Sequence, residues 1–192
     1  MFTLIIVDCQ NDFISGTMSV KGARAAVHNI RKYIEQQYEA ISTIIFTLDW
    51  HPFNHCSFKR MGGLWPQHCV QHTPGACIEP KLLKYVHNSG IDFQFVLKGL
   101  DPLTEQYGAF EDVFPVSDAL GRRYYFDDTA KANADDEFVI CGIAGDYCVK
   151  ESTKNLLEAD INPKLYLPGI VSIDDGTTIS RFIEENCLDI VE

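Results

Sequence analysis

Uninterrupted apolar runs alternate along the chain with segments in which apolar residues recur every three or four positions. The runs are rich in β-branched residues and are typical of strands buried on both faces of a parallel sheet. The three-and-four spacing, as at Val27, Ile30 and Ile34, indicates a helix with one apolar face. We therefore predict strands at residues 3–7, 41–48, 92–97, 137–141, 164–167 and 188–191, and helices at residues 23–38, 78–87, 149–159 and 177–186.

This order of elements predicts an α/β fold: a doubly wound, mainly parallel six-stranded sheet with helices on both faces. The chain has 192 residues, which we interpret as a single domain spanning residues 1–192. Residues 117–136 show no clear periodicity, and a short helix near Ala119 is one interpretation of them. No fold prediction rests on that segment.

Composition and charge argue against several classes of partner. The formal net charge is −11, with no basic cluster longer than a pair, which argues against nucleic acid or an anionic membrane as a partner. The apolar run at the N-terminus is too short for a signal peptide or a membrane span. Seven cysteines, an odd number without CxxC spacing, make disulfides unexpected and predict a reducing cytoplasm.

Chemically active residues follow the predicted strands at the point where each strand ends. Asp8 follows the first strand, Asp49 the second, and Lys98 the third. Because the carboxyl ends of parallel strands meet at one edge of a sheet, we expect these side chains to converge there. Two structural alternatives stay open. Asp8 is an ordinary turn or cap residue in the first, and Lys98 is an ordinary solvent-exposed lysine in the second, since a buried lysine is costly unless it is paired.

Cys148 lies in a stretch that predicts a sharp strand-to-helix elbow, CGIAGDYCV at residues 141–149. At a helix N-terminus, unpaired backbone N–H groups and the helix dipole stabilise a thiolate. The same N–H groups are suited to hold the oxyanion that forms when sulfur attacks a carbonyl. Cys148 is therefore the candidate nucleophile, and a buried structural cysteine is the alternative.

A long segment at residues 50–76 is rich in proline, glycine, histidine and aromatic residues, which is typical of a functional loop. Asp49 and His51 flank one residue at a strand end, so their side chains are expected on the same side. With His68 they form a set of the type that binds zinc or a similar ion and leaves coordination positions open.

Several motifs, taken together and in order, resemble those of nicotinamidases, also called pyrazinamidases, of the isochorismatase-like cysteine hydrolase superfamily. The most discriminating pair is the DWHP and GLWPQHC motifs, because superfamily members without a metal site lack them. The motifs are VDCQNDF at residues 7–13, DWHP at 49–52, HCSF at 55–58, GLWPQHC at 63–69, KG at 98–99, YGAF at 107–110 and CGIAGDYCV at 141–149.

The resemblance implies the isochorismatase-like hydrolase fold and hydrolysis of nicotinamide, and of pyrazinamide, to the acid and ammonia through a thioester on Cys148. It implies one divalent metal ion, with zinc expected and manganese or iron as alternatives. A homo-oligomer is compatible with it. His55 is a fourth ligand in some relatives, and here we predict only that it lies beside the metal site. The implied site residues are Asp8, Lys98 and Cys148 as the catalytic triad, Asp49, His51 and His68 as metal ligands, the N–H groups of Ala144 (after a cis peptide) and Cys148 as the oxyanion hole, and Phe13, Trp65 and Tyr107 as the ring pocket.

Two other functions are weighed against this one. Another amidase or carbamoyl hydrolase of the same superfamily would share the triad but need no metal set. A non-catalytic zinc-binding or interaction domain would hold Cys148 as an inert buried thiol.

Overall fold

The computed structural model of the protein describes residues 1–111, 115–117, 123–125, 132–133 and 135–192. Five α-helices are present in the described residues: α1 (Asn11–Ile14), α2 (Ala23–Gln36), α3 (Pro80–Ser89), α4 (Lys150–Glu158) and α5 (Thr177–Glu185). The described strands are β1 (Phe2–Val7), β2 (Ile41–Asp49), β3 (Asp92–Lys98), β4 (Pro115–Ser117), β5 (Arg123–Tyr125), β6 (Ala132–Asn133), β7 (Glu137–Ile143), β8 (Lys164–Val171) and β9 (Ile190–Val191).

Six of these strands form the central sheet, in the order β3-β2-β1-β7-β8-β9. Every pairing within it is parallel, and β1 and β2 are buried along most of their length. Such strands must be apolar on both faces, which is why the sequence runs are continuous rather than alternating. The predicted six-stranded parallel sheet is confirmed.

The two faces of the sheet bury separate apolar clusters. Along β1, Leu4 and Ile6 pack with residues of α2 and α3, whereas Ile5 and Val7 pack with residues of α4 and α5. Successive side chains of a strand point to opposite faces, so the helices cover both sides of the sheet. Within the described part of the chain, no helix combines the length and apolarity needed to cross a membrane.

Strand β8 is longer than predicted. The sequence places its end before Pro168, but the strand continues to Val171. Its pairing with β7 shifts register, since Ile140 pairs with Leu165 and Gly142 pairs with Ile170. Pro168 therefore lies in a bulge, where the ladder does not require a backbone N–H from it.

The helix predicted at residues 149–159 is present as α4, but an unpredicted turn precedes it. A π-helical turn, Gly145–Val149, follows β7, and α4 begins only at Lys150. Cys148 thus lies in the π-helical turn. Between residues 115 and 133, β4, β5 and β6 form a small antiparallel sheet. Ala119, near which a short helix was one interpretation, lies outside the described residues.

Candidate active site

The carboxyl edge of the sheet brings together four side chains that lie far apart in the sequence: Asp8, Asp49, Lys98 and Cys148, which we call the charged centre. Asp49 and Lys98 are paired residues at the ends of β2 and β3. All four side chains are buried, and Lys98 is only 1% exposed. Burial excludes the alternative in which Lys98 is an ordinary surface lysine.

The ammonium group of Lys98 contacts every other member of the charged centre. Its Nζ lies 2.8 Å from Oδ2 of Asp8 and 3.4 Å from Sγ of Cys148, and it donates a hydrogen bond to Oδ1 of Asp49. The other oxygen of Asp8, Oδ1, accepts a hydrogen bond of 2.7 Å from the hydroxyl of Thr47. One buried cation therefore faces two carboxylates and a thiol.

Burial and charge act in opposite directions on these groups. Burial raises the pKa of Asp8, while Lys98 lowers it without cancelling the effect. Burial disfavours the charge on Lys98, but the carboxylates of Asp49 and Asp8 hold the pKa of Lys98 well above its usual value. Burial also raises the pKa of Cys148 well above that of a free thiol, despite the nearby ammonium. Burial thus favours the protonated thiol of Cys148 over the thiolate that the elbow alone predicts, and it makes the Asp8 carboxylate more basic than an exposed aspartate.

A second group of side chains shares Asp49 with the charged centre. Oδ2 of Asp49 lies 3.4 Å from Nε2 of His51 and 3.7 Å from Nε2 of His68. We call these three residues the donor cluster. Two ligand atoms bound at about 2.1 Å to a tetrahedral ion lie roughly 3.4 Å apart, so this spacing suits a divalent metal such as zinc.

The ring orientations of the donor cluster also suit a metal. Nδ1 of His51 lies 3.1 Å from the carbonyl oxygen of Gly99, and Nδ1 of His68 lies 2.8 Å from that of Pro66. A carbonyl oxygen accepts hydrogen bonds only, so each Nδ1 is the donor. In the neutral ring the lone pair is then on Nε2, directed toward Asp49, as in metal sites whose histidines are oriented by a backbone carbonyl.

Gly99 is required for this arrangement. It follows Lys98 with φ of +66°, a conformation that favours glycine. A Cβ atom at this position would collide with Cε1 and Nδ1 of the His51 ring. The glycine therefore lets the backbone approach the imidazole closely enough to accept its hydrogen bond.

His55 lies beside the donor cluster, as predicted, but its ring nitrogens have other partners. Nδ1 lies 2.8 Å from the hydroxyl of Ser57, and Nε2 lies 3.1 Å from the carbonyl oxygen of Thr104. Its ring lies against that of His51, with centroids 4.1 Å apart. His55 thus supports His51 and does not direct a nitrogen toward Asp49.

A small pocket is lined by Cys148 and by two residues of the donor cluster, Asp49 and His68. The three predicted ring-pocket residues, Phe13, Trp65 and Tyr107, all line it, and Nε1 of Trp65 donates a 3.0 Å hydrogen bond to the hydroxyl of Tyr107. Ala144 lines it too, after a cis peptide bond from Ile143 to Ala144, which was expected. Sequence reasoning missed four lining residues: Met18, Glu105, Tyr147 and Ile173.

Of these four residues, Tyr147 was the easiest to find from the sequence, because it directly precedes the candidate nucleophile. Its ring packs edge-on against Trp65 with centroids 5.0 Å apart, and lies 5.3 Å from the ring of Tyr107. The three aromatic side chains form one wall of the pocket. Aromatic walls of this kind suit a flat, largely apolar group.

Several known proteins are similar to this chain in sequence and in fold. The sequence profile of the Isochorismatase domain family matches residues 2–96. The nicotinamidase of Escherichia coli K12 is 32% identical over 201 aligned residues, which cover 94% of this chain and 89% of that protein.

Solved structures agree with the sequence comparison. The pyrazinamidase of Pyrococcus horikoshii in complex with zinc superposes with a TM-score of 0.73 at 28% identity, covering 99% of this chain and 98% of that one. The yeast nicotinamidase bound to the inhibitor nicotinaldehyde superposes with a TM-score of 0.78 at 26% identity, covering the full length of both chains.

Proposed function

Because the chain belongs to the nicotinamidases of the isochorismatase-like hydrolases, we propose that it hydrolyses nicotinamide to nicotinate and ammonia. The observation that carries the proposal is the buried contact of one ammonium group, that of Lys98, with Asp8 and Cys148 beside the donor cluster. Acyl transfer by a thiol needs a base, a means of holding that base and a place for the oxyanion. Each has a candidate side chain or N–H group here.

The first half of the reaction forms a thioester. Asp8 takes the proton of the Cys148 thiol as sulfur attacks the amide carbon, and the carbonyl electron pair moves to oxygen. Lys98 keeps Asp8 oriented and offsets the negative charge that builds up on sulfur. The backbone N–H groups of Ala144 and Cys148 hold the oxyanion. Asp8 then returns the proton to nitrogen, so that the C–N bond breaks and ammonia leaves.

The second half releases the acid. Water attacks the thioester carbon while Asp8 takes one of its protons. The tetrahedral species collapses, the C–S bond breaks, and Asp8 gives the proton to sulfur. The product is nicotinic acid, which ionises to nicotinate, and the thiol and carboxylate return to their starting states.

Asp49, His51 and His68 would hold a divalent ion, which we propose to be zinc, with manganese or iron as alternatives. When bound, such an ion supplies a Lewis acid that attracts the ring nitrogen of the substrate. Phe13, Trp65 and Tyr107 bind the faces and edge of the ring and fix the carboxamide near Cys148. Pyrazinamide, whose ring is also a flat nitrogen heterocycle, fits the same description and is a proposed second substrate.

The proposed setting is a reducing cytoplasm. All seven cysteines are free, and four of them, Cys9, Cys69, Cys141 and Cys148, are buried without a disulfide partner. Free thiols in this number are typical of proteins in compartments that keep cysteines reduced.

Ammonia release from nicotinamide tests the function. We expect Cys148→Ala to abolish turnover while the protein stays folded, and Cys187→Ala, which removes an exposed thiol, to retain it. Chelation should lower the rate, and added metal should restore it. Full turnover by the Cys148→Ala protein would remove the nucleophile assignment.

The same assay separates the nearest rival function. Another amidase or carbamoyl hydrolase of the superfamily would use Asp8, Lys98 and Cys148 but would need no metal set, so it would be insensitive to chelators and would leave nicotinamide intact. Benzamide, which lacks the ring nitrogen, should bind far more weakly than nicotinamide if the metal binds that nitrogen.

A further inference from the structure

We propose that Gln10 is a positioning residue for Asp49, and that through Asp49 it holds the charged centre and the donor cluster in a fixed relation. The inference deepens the proposed function, on whose metal site it rests. Gln10 lies in the loop after β1 and is completely buried, and its own backbone N–H donates a 2.7 Å hydrogen bond to the carbonyl oxygen of Asp8. Burying a polar amide is costly unless its donor and acceptor groups are hydrogen-bonded, so the partners of this side chain indicate its role.

The amide of Gln10 binds both backbone groups of Asp49. Nε2 donates to the carbonyl oxygen of Asp49 at 2.7 Å, and Oε1 accepts from the N–H of Asp49 at 2.9 Å. Nε2 also donates to the carbonyl oxygen of Ala76 at 2.8 Å. The single side chain therefore satisfies three buried backbone groups from two distant parts of the chain.

The position of this amide explains why it is needed. Strand β1 pairs with β2 only as far as Val7 and Thr47, so Asp49 extends past the end of its neighbour. On the other side Asp49 pairs with Lys98 of β3. The amide of Gln10 takes the place of the missing strand and presents one acceptor and one donor, as a peptide unit would.

Asp49 is the residue for which such a constraint matters most. One carboxylate oxygen contacts Lys98, and the other faces His51 and His68. A small rotation of the Asp49 backbone would move both oxygens together. It would weaken the contact with the ammonium and disturb the donor spacing at the same time.

The test compares two Gln10 variants with a matched glutamine. Gln10→Leu removes all three hydrogen bonds, whereas Gln10→Glu keeps the acceptor for the N–H of Asp49 and removes the donor. Gln71→Leu is the control, because Nε2 of Gln71 donates to the carbonyl oxygen of Trp50, the residue directly after Asp49. Metal-free protein is titrated with Co²⁺, followed by visible absorption, and thermal unfolding is recorded in parallel.

We expect Gln10→Leu to weaken Co²⁺ binding by about tenfold or more, the usual effect of losing a group that orients metal ligands. The absorption spectrum of the bound Co²⁺ should change shape. Gln10→Glu should also weaken binding, because its oxygen faces two carbonyl oxygens at a buried position where the wild type has a donor, and Gln71→Leu should match the wild type in affinity and spectrum. A cooperatively folded Gln10 variant with wild-type Co²⁺ affinity and spectrum would overturn the inference. So would a Gln71→Leu protein that loses as much affinity as Gln10→Leu.

The test separates the inference from the function on which it rests. If the wild-type protein releases ammonia from nicotinamide and binds Co²⁺ while the Gln10 variants do the same, only the positioning role is wrong. If the wild-type protein neither binds Co²⁺ nor turns over nicotinamide, the proposed function is wrong, and the inference falls with it.

Discussion

The charged centre and the donor cluster share Asp49, yet they are held by different parts of the structure. Asp8 and Lys98 stand at the ends of β1 and β3, strands that are paired along their length with β2. In the donor cluster, His51 and His68 lie in the long loop after β2, and each ring is oriented by a hydrogen bond to one backbone carbonyl.

This difference separates two ways of building a precise site. Sheet pairing fixes the three charged residues of the charged centre, Asp8, Asp49 and Lys98, at the strand ends. The weakness of this centre is electrostatic, because its two carboxylates and the Cys148 thiol depend on one buried ammonium. Hydrogen bonds to two backbone carbonyl groups orient the histidines of the donor cluster. The geometry of this cluster is therefore sensitive to any side chain that displaces that backbone or those rings. Substitutions that remove a charge should therefore have their largest effect on the charged centre, and substitutions that add bulk should have theirs on metal binding by the donor cluster.

Lys98→Met is expected to have the largest effect, because it leaves the carboxylates of Asp8 and Asp49 buried without their cation. Breaking a buried ion pair by removing one partner costs about 3–5 kcal/mol. Urea unfolding should show a loss of this size, and ammonia release should be abolished.

The control for Lys98 is Lys164→Met. Lys164 lies 2.8 Å from Glu137 in an exposed ion pair, where water screens the interaction. We expect its unfolding curve to stay close to that of the wild type. Equal losses in the two variants would contradict the claim that burial gives the Lys98 contacts their importance.

Gly99→Ala is expected to have the next largest effect and to act mainly on the donor cluster. The added methyl group would push against the His51 ring and displace Nε2 from its place beside Asp49. Gly90→Ala is the matched control, since Gly90 also has a positive φ but its added methyl group would meet no neighbouring atom within 4 Å. Both variants should lose about 1–2 kcal/mol of stability from the backbone conformation, but only Gly99→Ala should lose metal affinity. Equal metal affinity in the two would refute the steric account.

Glu105→Gln is expected to have the smallest effect. Glu105 places a carboxylate on the pocket lining, where the neutral amide is converted to an anionic product. Removing one like charge from a partly solvated site changes anion binding by about 1 kcal/mol, so nicotinate should inhibit the variant about fivefold more strongly. The KM for nicotinamide should change little. Glu35→Gln, which removes an exposed carboxylate, is the control and should leave inhibition by nicotinate unchanged. The same unchanged inhibition in Glu105→Gln would show that the charge of Glu105 does not affect binding of the product.

The sequence predicts the fold well because its strongest signals are local. Apolar runs define β1, β2 and β3, and an acid or a lysine stands near the end of each. Sheet geometry then requires those ends to share one edge. The end of β8 could not be predicted in this way, because the tolerance of Pro168 depends on its bulge against β7.

Side-chain partners were the part of the site that the sequence left open. Nothing local to Lys98 distinguishes a buried ammonium from an exposed one, since its partners come from β1 and β2. The orientation of His55 depends on Ser57 and on the carbonyl oxygen of Thr104, which is 49 residues away. The hydrogen bonds between the side-chain amide of Gln10 and the backbone of Asp49 likewise join residues that are 39 positions apart. Contacts of this kind become visible only once the chain is folded.

The central claim is that the Cys148 sulfur, next to Asp8 and Lys98, becomes covalently acylated during turnover. Its most direct test is acid quenching of the enzyme during steady-state turnover of nicotinamide, followed by mass spectrometry of the protein and its peptides. The account predicts a mass increase equal to one nicotinoyl group on the peptide that contains Cys148, absent from the Cys148→Ala protein. A nicotinoyl group on a different cysteine, with Cys148 unmodified during active turnover, would contradict it.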